Sequence, residues 1–222
     1  MHFIFTRFLT IESRLDKIEK NLLSLENTEQ VWEKNGDGTS TFDSPIETGN
    51  MLDAEQGKVP GFGGTCGLVS CVNVLRMAGI EATEQQVVNF AASNGICWTG
   101  DSEPGNNGGT DPSDRREVLA YFGVKSELRE STIENISTAV SEGRGVIASV
   151  DAGKLWGDPD YFGGSHAVTI TSVKRDDSSG EVTGFDVCDS GTGGKDQATY
   201  YSASHIENAL TGRPINVTSI IR

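Results

Sequence analysis

The sequence predicts an α+β fold in which helices come first and an antiparallel β-sheet follows. One indication is a helix-like apolar run that starts at Cys66, with two further stretches of helical period before residue 124. The other indication is a set of β-branched runs of strand length at residues 145–152, 166–175, 182–191 and 215–222. Because helices and strands are segregated and do not alternate, the pattern disfavours a wound parallel sheet.

Residues 1–30 are predicted to form an amphipathic helix with an a/d heptad pattern. Its apolar positions recur at alternating spacings of three and four residues: Met1, Ile4, Phe8, Ile11, Leu15, Ile18, Leu22 and Leu25. In this register Arg7 and Arg14 occupy g positions, and Glu12 and Glu19 occupy the following e positions. That arrangement favours a parallel homo-oligomer. The alternative is a helix that packs on its own domain or serves as a connector.

Residues 31–50 are rich in Gly, Ser, Thr and Asp, which predicts a linker ahead of the main domain at 51–222. Within that domain we expect helices at 66–79, 83–93, 111–123 and 132–143, and one more inserted among the strands at 200–212. Residues 94–114 are instead rich in Gly, Asn and acidic side chains. A loop of this length indicates a functional flap.

The net charge of −14 argues against a nucleic-acid or anionic-membrane partner, because both require a basic face. No apolar run reaches the length of a membrane span, and the N-terminus lacks the features of a cleaved secretory signal. The sequence therefore predicts a soluble protein. Its cysteines, at positions 66, 71, 97 and 188, are irregularly spaced, which favours a reducing compartment. The alternative is a secreted domain stabilised by disulfides.

Cys66 is the candidate nucleophile because it lies at the predicted start of a helix. Unpaired backbone N–H groups and the helix dipole stabilise a thiolate there, and nearby glycines would let a substrate backbone approach. The alternative is a buried structural cysteine behind a Gly-rich turn. Cys71 is predicted to pack in the core, since a bridge to Cys66 within one helix has poor geometry.

A catalytic thiol needs an imidazole base and a group that orients the imidazole. His166 opens a predicted strand after a flexible Gly-Gly-Ser entry, whereas His2 and His205 lie in predicted helices. If the following hairpin is centred near residues 177–178, His166 faces Asp189 at the end of the next strand. Cys, His and Asp also bind zinc, but the short local spacing of most zinc sites is absent, so no metal or other cofactor is expected.

Five segments carry a resemblance to a known family: "TCGLVSCVNVLRMAG", "GGTDPSDRREVLAYFGV", "GGSHAVTITSV", "GFDVCDSG" and "YYSASHIENALTGRPINVT". In this order, over residues 50–222, they resemble the papain-like cysteine peptidase fold. The resemblance is to the variants related to bacteriocin-processing peptidases and to papain-fold domains of bacterial polymorphic toxins. It implies that Cys66 is the nucleophile, His166 the general base and acid, and Asp189 the orienting carboxylate.

The resemblance also implies an oxyanion-hole glutamine. Relatives usually carry it nearer to the nucleophile, where this chain has Pro60, so the nearest candidate is Gln56. The backbone N–H of Cys66 would be the second donor.

These residues predict a thiol-dependent hydrolase, a cysteine peptidase that cleaves a peptide or protein amide. The resemblance implies a processing enzyme or a bacterial toxin effector, the latter with an immunity or inhibitor protein as partner. Such a protein would act in the bacterial cytoplasm or reach a target cell without a cleaved signal peptide. The same site would serve a glutamine deamidase or an acyltransferase. A different class, a catalytically inactive oligomeric binding module, is favoured by the displaced glutamine.

Overall fold

A computed structural model describes residues 32–43, 51–52, 55–191 and 198–221. Within these ranges the chain forms an antiparallel sheet of 8 strands. They are β1 (Glu33–Lys34), β2 (Thr39–Asp43), β3 (Ser126–Arg129), β4 (Arg144–Asp151), β5 (Ser165–Asp176), β6 (Val182–Cys188), β7 (Thr199–Ser202) and β8 (Ile215–Ile220). The α-helices in the same ranges are α1 (Cys66–Met77), α2 (Glu84–Ser93), α3 (Pro112–Tyr121), α4 (Ile133–Ser141), α5 (Ala152–Trp156) and α6 (Ala203–Ala209).

The sheet is built around β5, a strand of 12 residues. The first half of β5 pairs with β4, with Ser165 opposite Asp151, and its second half pairs with β2. The other edge of β5 pairs with β6, which pairs in turn with β7. On the far side of β4 the sheet continues through β8 to β3. His166 therefore lies at the start of the central strand, opposite Val150 of β4 and beyond the last residue paired with β6.

Helices cover both faces of the sheet. Ile147 and Ala167 pack in a core with α1, α2 and α3, whereas Val146, Ala148 and Val168 pack in a second core with α4 and α6. Successive residues of a strand point to opposite faces, so these runs are apolar on both sides. Since α1 is buried along nearly its whole length, it is the central helix of the first core. The predicted α+β fold class is confirmed.

The predicted linker differs from the structure at residues 33–34 and 39–43, which form β1 and β2 and extend the sheet along β5. Phe42 is only 1% exposed and anchors this hairpin in the second core. The Gly and Asp residues that suggested a linker belong to the turn of the hairpin, where Gly36 and Gly38 have positive φ. The predicted heptad helix at 1–30 and the remaining linker residues at 44–50 lie outside the described residues.

The predicted register of the β5–β6 hairpin is wrong by about two residues. Thr169 pairs with Cys188 and Ile170 with Val187, so the turn is centred later than residues 177–178. The cause is the Asp176 carboxylate, which accepts backbone N–H groups of Ser178 and Ser179 and lengthens the turn. Asp189 therefore follows the last paired residue of β6 and does not lie directly across from His166.

All four cysteines are free thiols, so the alternative of a disulfide-stabilised domain is not supported. The prediction that Cys71 packs in the core is confirmed, because its side chain is fully buried. None of the helices in the described ranges is long and apolar enough to cross a membrane.

Candidate active site

Cys66 is the first residue of α1, and a Gly-rich loop leads into it. The flap at residues 94–114 lies against this loop: the Gly63 N–H donates to the carbonyl of Pro104 at 2.6 Å. A Cβ at Gly63 would stand 2.8 Å from the Cα of Gly105, and one at Gly64 would stand 2.8 Å from the Gly105 oxygen. Only glycine fits where the two backbones approach this closely. The predicted flap thus holds the segment that presents the thiol.

A buried carboxylate holds the other side of the same loop. Glu84, at the start of α2, is only 6% exposed and accepts the backbone N–H groups of Gly57 and Lys58 at 2.8 and 3.1 Å. It also accepts the Thr65 hydroxyl at 2.5 Å. Thr65 is the residue before the nucleophile, and its hydroxyl in turn accepts the N–H of Gly57. These bonds satisfy the buried carboxylate and fix the approach of the chain to Cys66.

His166 and Asp189 are joined by a buried hydrogen bond of 2.7 Å between Nε2 and Oδ1. The two residues are 5% and 2% exposed. Oδ1 also accepts the N–H of Gly191 at 2.8 Å, and Oδ2 accepts the indole Nε1–H of Trp156 at 2.7 Å. The indole ring also packs against the imidazole, with ring centroids 5.3 Å apart. The carboxylate is therefore held by several donors and can orient the imidazole.

Cys66, a half-buried residue, lies close enough to the His166 imidazole and to the backbone of Ala167 for both to act on the pKa of its thiol. Since Asp189 engages Nε2, Nδ1 is the imidazole nitrogen left to interact with the sulfur. His166 thus interacts with both Cys66 and Asp189. The structure brings together the three side chains that the sequence analysis selected.

The charges of Cys66, His166 and Asp189 together favour a thiolate and an imidazolium. Burial on its own would raise the pKa of the Cys66 thiol, but the hydrogen bond and charge of His166 lower it below its usual value. Burial would likewise lower the pKa of His166, but hydrogen bonds with Asp189 and Cys66 raise it from 6.5 to about 10. The pKa of Asp189, which burial alone would raise, is lowered by its bond with His166.

The other cysteines lack these influences. Burial raises the pKa of Cys71 to about 12, and burial and the nearby Asp114 raise that of Cys97. Cys188 is buried and its sulfur accepts a hydrogen bond from the Asn73 amide at 3.3 Å. Among the thiols with shifted pKa values, Cys66 alone moves towards the thiolate.

Gln56 lies beside the Gly-rich loop that leads into Cys66, here called the nucleophile loop after the proposed role of Cys66, although it is ten residues from Cys66 in sequence. Its amide Nε2 donates to the Gly63 carbonyl at 3.2 Å, and its Oε1 accepts the Ser190 hydroxyl at 3.0 Å. The backbone N–H of Gln56 donates to the Ser190 carbonyl at 3.1 Å. These bonds orient the amide nitrogen towards the loop that carries the thiol. Ser190 follows Asp189 directly, so Gln56 connects the two sides of the site.

A turn at Val59–Phe62 accounts for the unusual distance in sequence between Gln56 and Cys66. The N–H of Phe62 donates to the Val59 carbonyl at 3.0 Å, and Gly61 has a φ of 84°. Pro60 followed by a glycine with positive φ is the pattern of a type II turn. The turn accommodates the additional residues, so Gly63 lies within hydrogen-bond distance of the Gln56 side chain.

A cavity of about 430 Å³ lies along the flap. The flap contributes Cys97, Trp98 and Thr110 to its wall, and Ser165, the residue before His166, contributes from the start of β5. Trp98 is 63% exposed, which leaves its ring available to a bound molecule. The cavity has the size of an amino-acid side chain or two, and none of Cys66, His166 and Asp189 is among the residues that line it.

Several residues of the site were not predicted. Trp156 is the last residue of a short helix with no recognised motif, and Glu84 and Ser190 are ordinary polar residues in the sequence. Of these residues, Glu84 had a sequence signal: the capping box that begins at Thr83 places Glu84 in the first turn of a helix. Among the described residues, no group of three or more His, Cys, Asp or Glu side chains could hold a metal ion.

Comparison with known proteins identifies one matching family and several solved structures of similar fold. The model of the Peptidase_C39 like family matches residues 48–210. A protein from Bacillus anthracis described as a C39-like peptidase has a similar structure, with a TM-score of 0.54 and 14% sequence identity, covering 77% of this chain and 95% of the other. No curated protein matches the chain. The predicted papain-like cysteine peptidase fold is confirmed.

Two further solved structures are similar at lower scores. One is the peptidase domain of Streptococcus ComA, a bifunctional ABC transporter of a quorum-sensing pathway, with a TM-score of 0.49, 11% identity and coverage of 75% of this chain and 98% of the other. The other is a double-glycine motif protease of an AMS/PCAT transporter in complex with its leader peptide, with a TM-score of 0.44, 10% identity and coverage of 75% and 93%.

Proposed function

We propose, from the premise that the chain belongs to the Peptidase_C39 like family, that Cys66, His166 and Asp189 are its catalytic triad. As a member of that family the protein is a cysteine peptidase-like hydrolase. The observation that carries the proposal is that His166 is bonded to Asp189 and close enough to Cys66 to lower the pKa of the thiol, against the effect of its burial. We propose a peptide or protein amide as the substrate.

In the first half of the reaction the Cys66 thiolate attacks the carbonyl carbon of the amide. A C–S bond forms, and the electron pair of the C=O bond moves to the oxygen. The backbone N–H of Cys66, which is free of helical bonding at the start of α1, donates to this oxyanion. The His166 imidazolium then gives its proton to the amide nitrogen, the C–N bond breaks, and a thioester remains.

In the second half, neutral His166 takes a proton from a water molecule that attacks the thioester. The C–S bond breaks, the acid product leaves, and the thiolate and imidazolium are restored. Asp189 keeps Nδ1 of the imidazole directed at the sulfur and stabilises the imidazolium in both halves. Because the thiolate is both the attacking and the leaving group, its lowered pKa assists both halves.

Mass spectrometry tests this proposal with the wild type, Cys66→Ser and the core variant Cys71→Ser as a matched control. Each protein is incubated with a peptide library and with an intact bacterial proteome. New peptide termini are expected with the wild type and Cys71→Ser, and cleavage by Cys66→Ser should fall by about 10⁴-fold or more. Equal cleavage by Cys66→Ser contradicts the triad.

The same experiment separates the alternative uses of the site. A one-dalton increase at glutamine residues without new termini indicates deamidation, and joined peptides indicate acyl transfer. Cleavage of short peptides alone indicates processing, whereas cleavage of folded proteins indicates a toxin effector. Absence of any change with the wild type favours an inactive binding module.

Gln56 is proposed as the side-chain donor of the oxyanion hole, since its amide is fixed by Ser190 beside the nucleophile loop. Gln56→Ala is expected to lower kcat by about a hundredfold while changing KM little, because the donor acts on charge that develops in the transition state. Steady-state kinetics on a cleaved library peptide measure this, and Gln85→Ala on the exposed face of α2 is the control. An unchanged kcat would exclude Gln56 from the oxyanion hole.

A further inference from the structure

Arg115 in α3 carries a buried guanidinium that forms no ion pair with a carboxylate among the described residues. It is only 1% exposed and is among the largest fully buried side chains. Its Nη2 donates to the Ser149 hydroxyl at 2.7 Å, its Nε lies 3.4 Å from the Asp111 carbonyl, and its Nη1 has no hydrogen-bond partner. In the described part of the chain, none of the ion pairs includes Arg115. Buried arginines are rarely left without an anion, because desolvating the charge is costly.

The side chain of Arg115 lies against the first turn of α1. A Cβ at Gly67, the residue after Cys66, would stand 3.2 Å from Cδ of Arg115. Ser149, which accepts Nη2, pairs across β4 and β5 with Ala167. The N–H of Ala167 is the backbone donor to the Cys66 sulfur. Arg115 therefore lies beside the residue that follows Cys66, and its guanidinium bonds the β4 residue that pairs with Ala167.

Burial lowers the pKa of Arg115, and the charges that oppose this shift are those of Cys71, Cys66 and Asp111. Cys71 on α1 stays a neutral thiol, because burial raises its pKa to about 12. Asp111, at the start of α3, is an exposed carboxylate that also accepts a hydrogen bond from Arg213 at 2.5 Å, so it is shared with a second cation. The remaining group is Cys66, whose negative charge is favoured by the charge of Arg115.

We propose that Arg115 is a positioning residue that holds a fixed positive charge beside the first turn of α1 and keeps the Cys66 sulfur in the thiolate form. This inference rests on the proposed function of Cys66 as the nucleophile. His166 supplies the other charge, but His166 becomes neutral when it protonates the leaving amine. Arg115 keeps its charge throughout the cycle, so it stabilises the thiolate both at rest and as the leaving group of the second half.

The test is the pH dependence of Cys66 alkylation by iodoacetamide, followed by peptide mapping with mass spectrometry. Arg115→Gln removes the charge and keeps a donor for Ser149, Arg115→Lys keeps the charge, and Arg116→Gln changes the exposed neighbouring arginine as a matched control. The midpoint of the Arg115→Gln profile should rise by about half a unit to one unit, so that alkylation below the midpoint slows roughly three- to tenfold. Arg115→Lys should restore most of the rate, and Arg116→Gln should match the wild type.

A midpoint for folded Arg115→Gln equal to that of the wild type overturns the inference, as does an equal shift in Arg115→Lys. If Arg115→Gln does not fold, Ser149→Ala replaces it, because it releases the guanidinium from its fixed position; a rise in the midpoint supports the inference and an unchanged midpoint overturns it. Failure of the proposed function gives a different result, since Cys66 of the wild type would then react no faster than the other thiols at every pH.

Discussion

His166→Ala is expected to lower kcat/KM for peptide hydrolysis by about 10³-fold or more, because the variant loses both the proton donor and the base. The pKa of the Cys66 thiol should rise in the same variant. Burial of the sulfur remains, while the hydrogen bond and charge that oppose it are gone. Hydrolysis of library peptides and the alkylation rate of Cys66 at pH 7 measure the two effects, and both should fall.

His205→Ala is the matched control for that prediction. His205 lies on α6, where its Nε2 contacts the Leu155 carbonyl at 2.8 Å and its ring stacks on Tyr201. These contacts lie away from the proposed triad of Cys66, His166 and Asp189, so activity should stay close to that of the wild type. If His166→Ala retains most of the hydrolysis, or if its Cys66 is alkylated as fast as before, the imidazole has no catalytic role.

Asp189→Asn is expected to lower kcat/KM by about a hundredfold or more, although it changes a single atom. In the wild type Oδ1 accepts His166 and Gly191, while Oδ2 accepts the indole N–H of Trp156. An asparagine has only one acceptor oxygen. Its amide nitrogen must therefore face either the imidazole or the indole N–H, and a donor then meets a donor in a buried site.

A second substitution tests that explanation. Trp156→Phe removes the indole N–H, so the asparagine can direct its oxygen at His166 without conflict. The double variant Asp189→Asn with Trp156→Phe should be about tenfold more active than Asp189→Asn alone, although Trp156→Phe by itself lowers activity. Kinetics of the four proteins form a double-mutant cycle. Additive losses would show that the indole does not compete with the imidazole for residue 189.

The α+β class could be predicted because its signals are local. Apolar period, caps such as Thr83, and β-branched runs are properties of short segments, and the structure follows them. Cys66 and His166 stood out for the same reason, since each opens a regular element after a Gly-rich entry. Asp189 stood out as the acid that ends the next strand, and it contacts His166 even though the predicted register was wrong. Its side chain reaches the imidazole from beyond the paired residues.

Other features depend on partners that are distant in sequence. β2 is a short, mostly polar strand, and only its pairing with β5 distinguishes it from a loop. Trp156, Glu84 and Arg115 acquire their roles from contacts with residues far along the chain, which a local pattern does not encode. Gln56 was found only through the resemblance, because the turn that brings it back contributes no periodic signal.

The titration of the His166 imidazole by NMR tests the central claim most directly. With the thiolate and Asp189 in contact, the pKa of His166 is raised from 6.5 to about 10, so the ring should remain protonated at pH 8. In Cys66→Ser the contribution of the thiolate is lost and the midpoint should fall. A ring that titrates near 6.5 in both proteins would contradict an ion pair between sulfur and imidazole, and with it the active site described above.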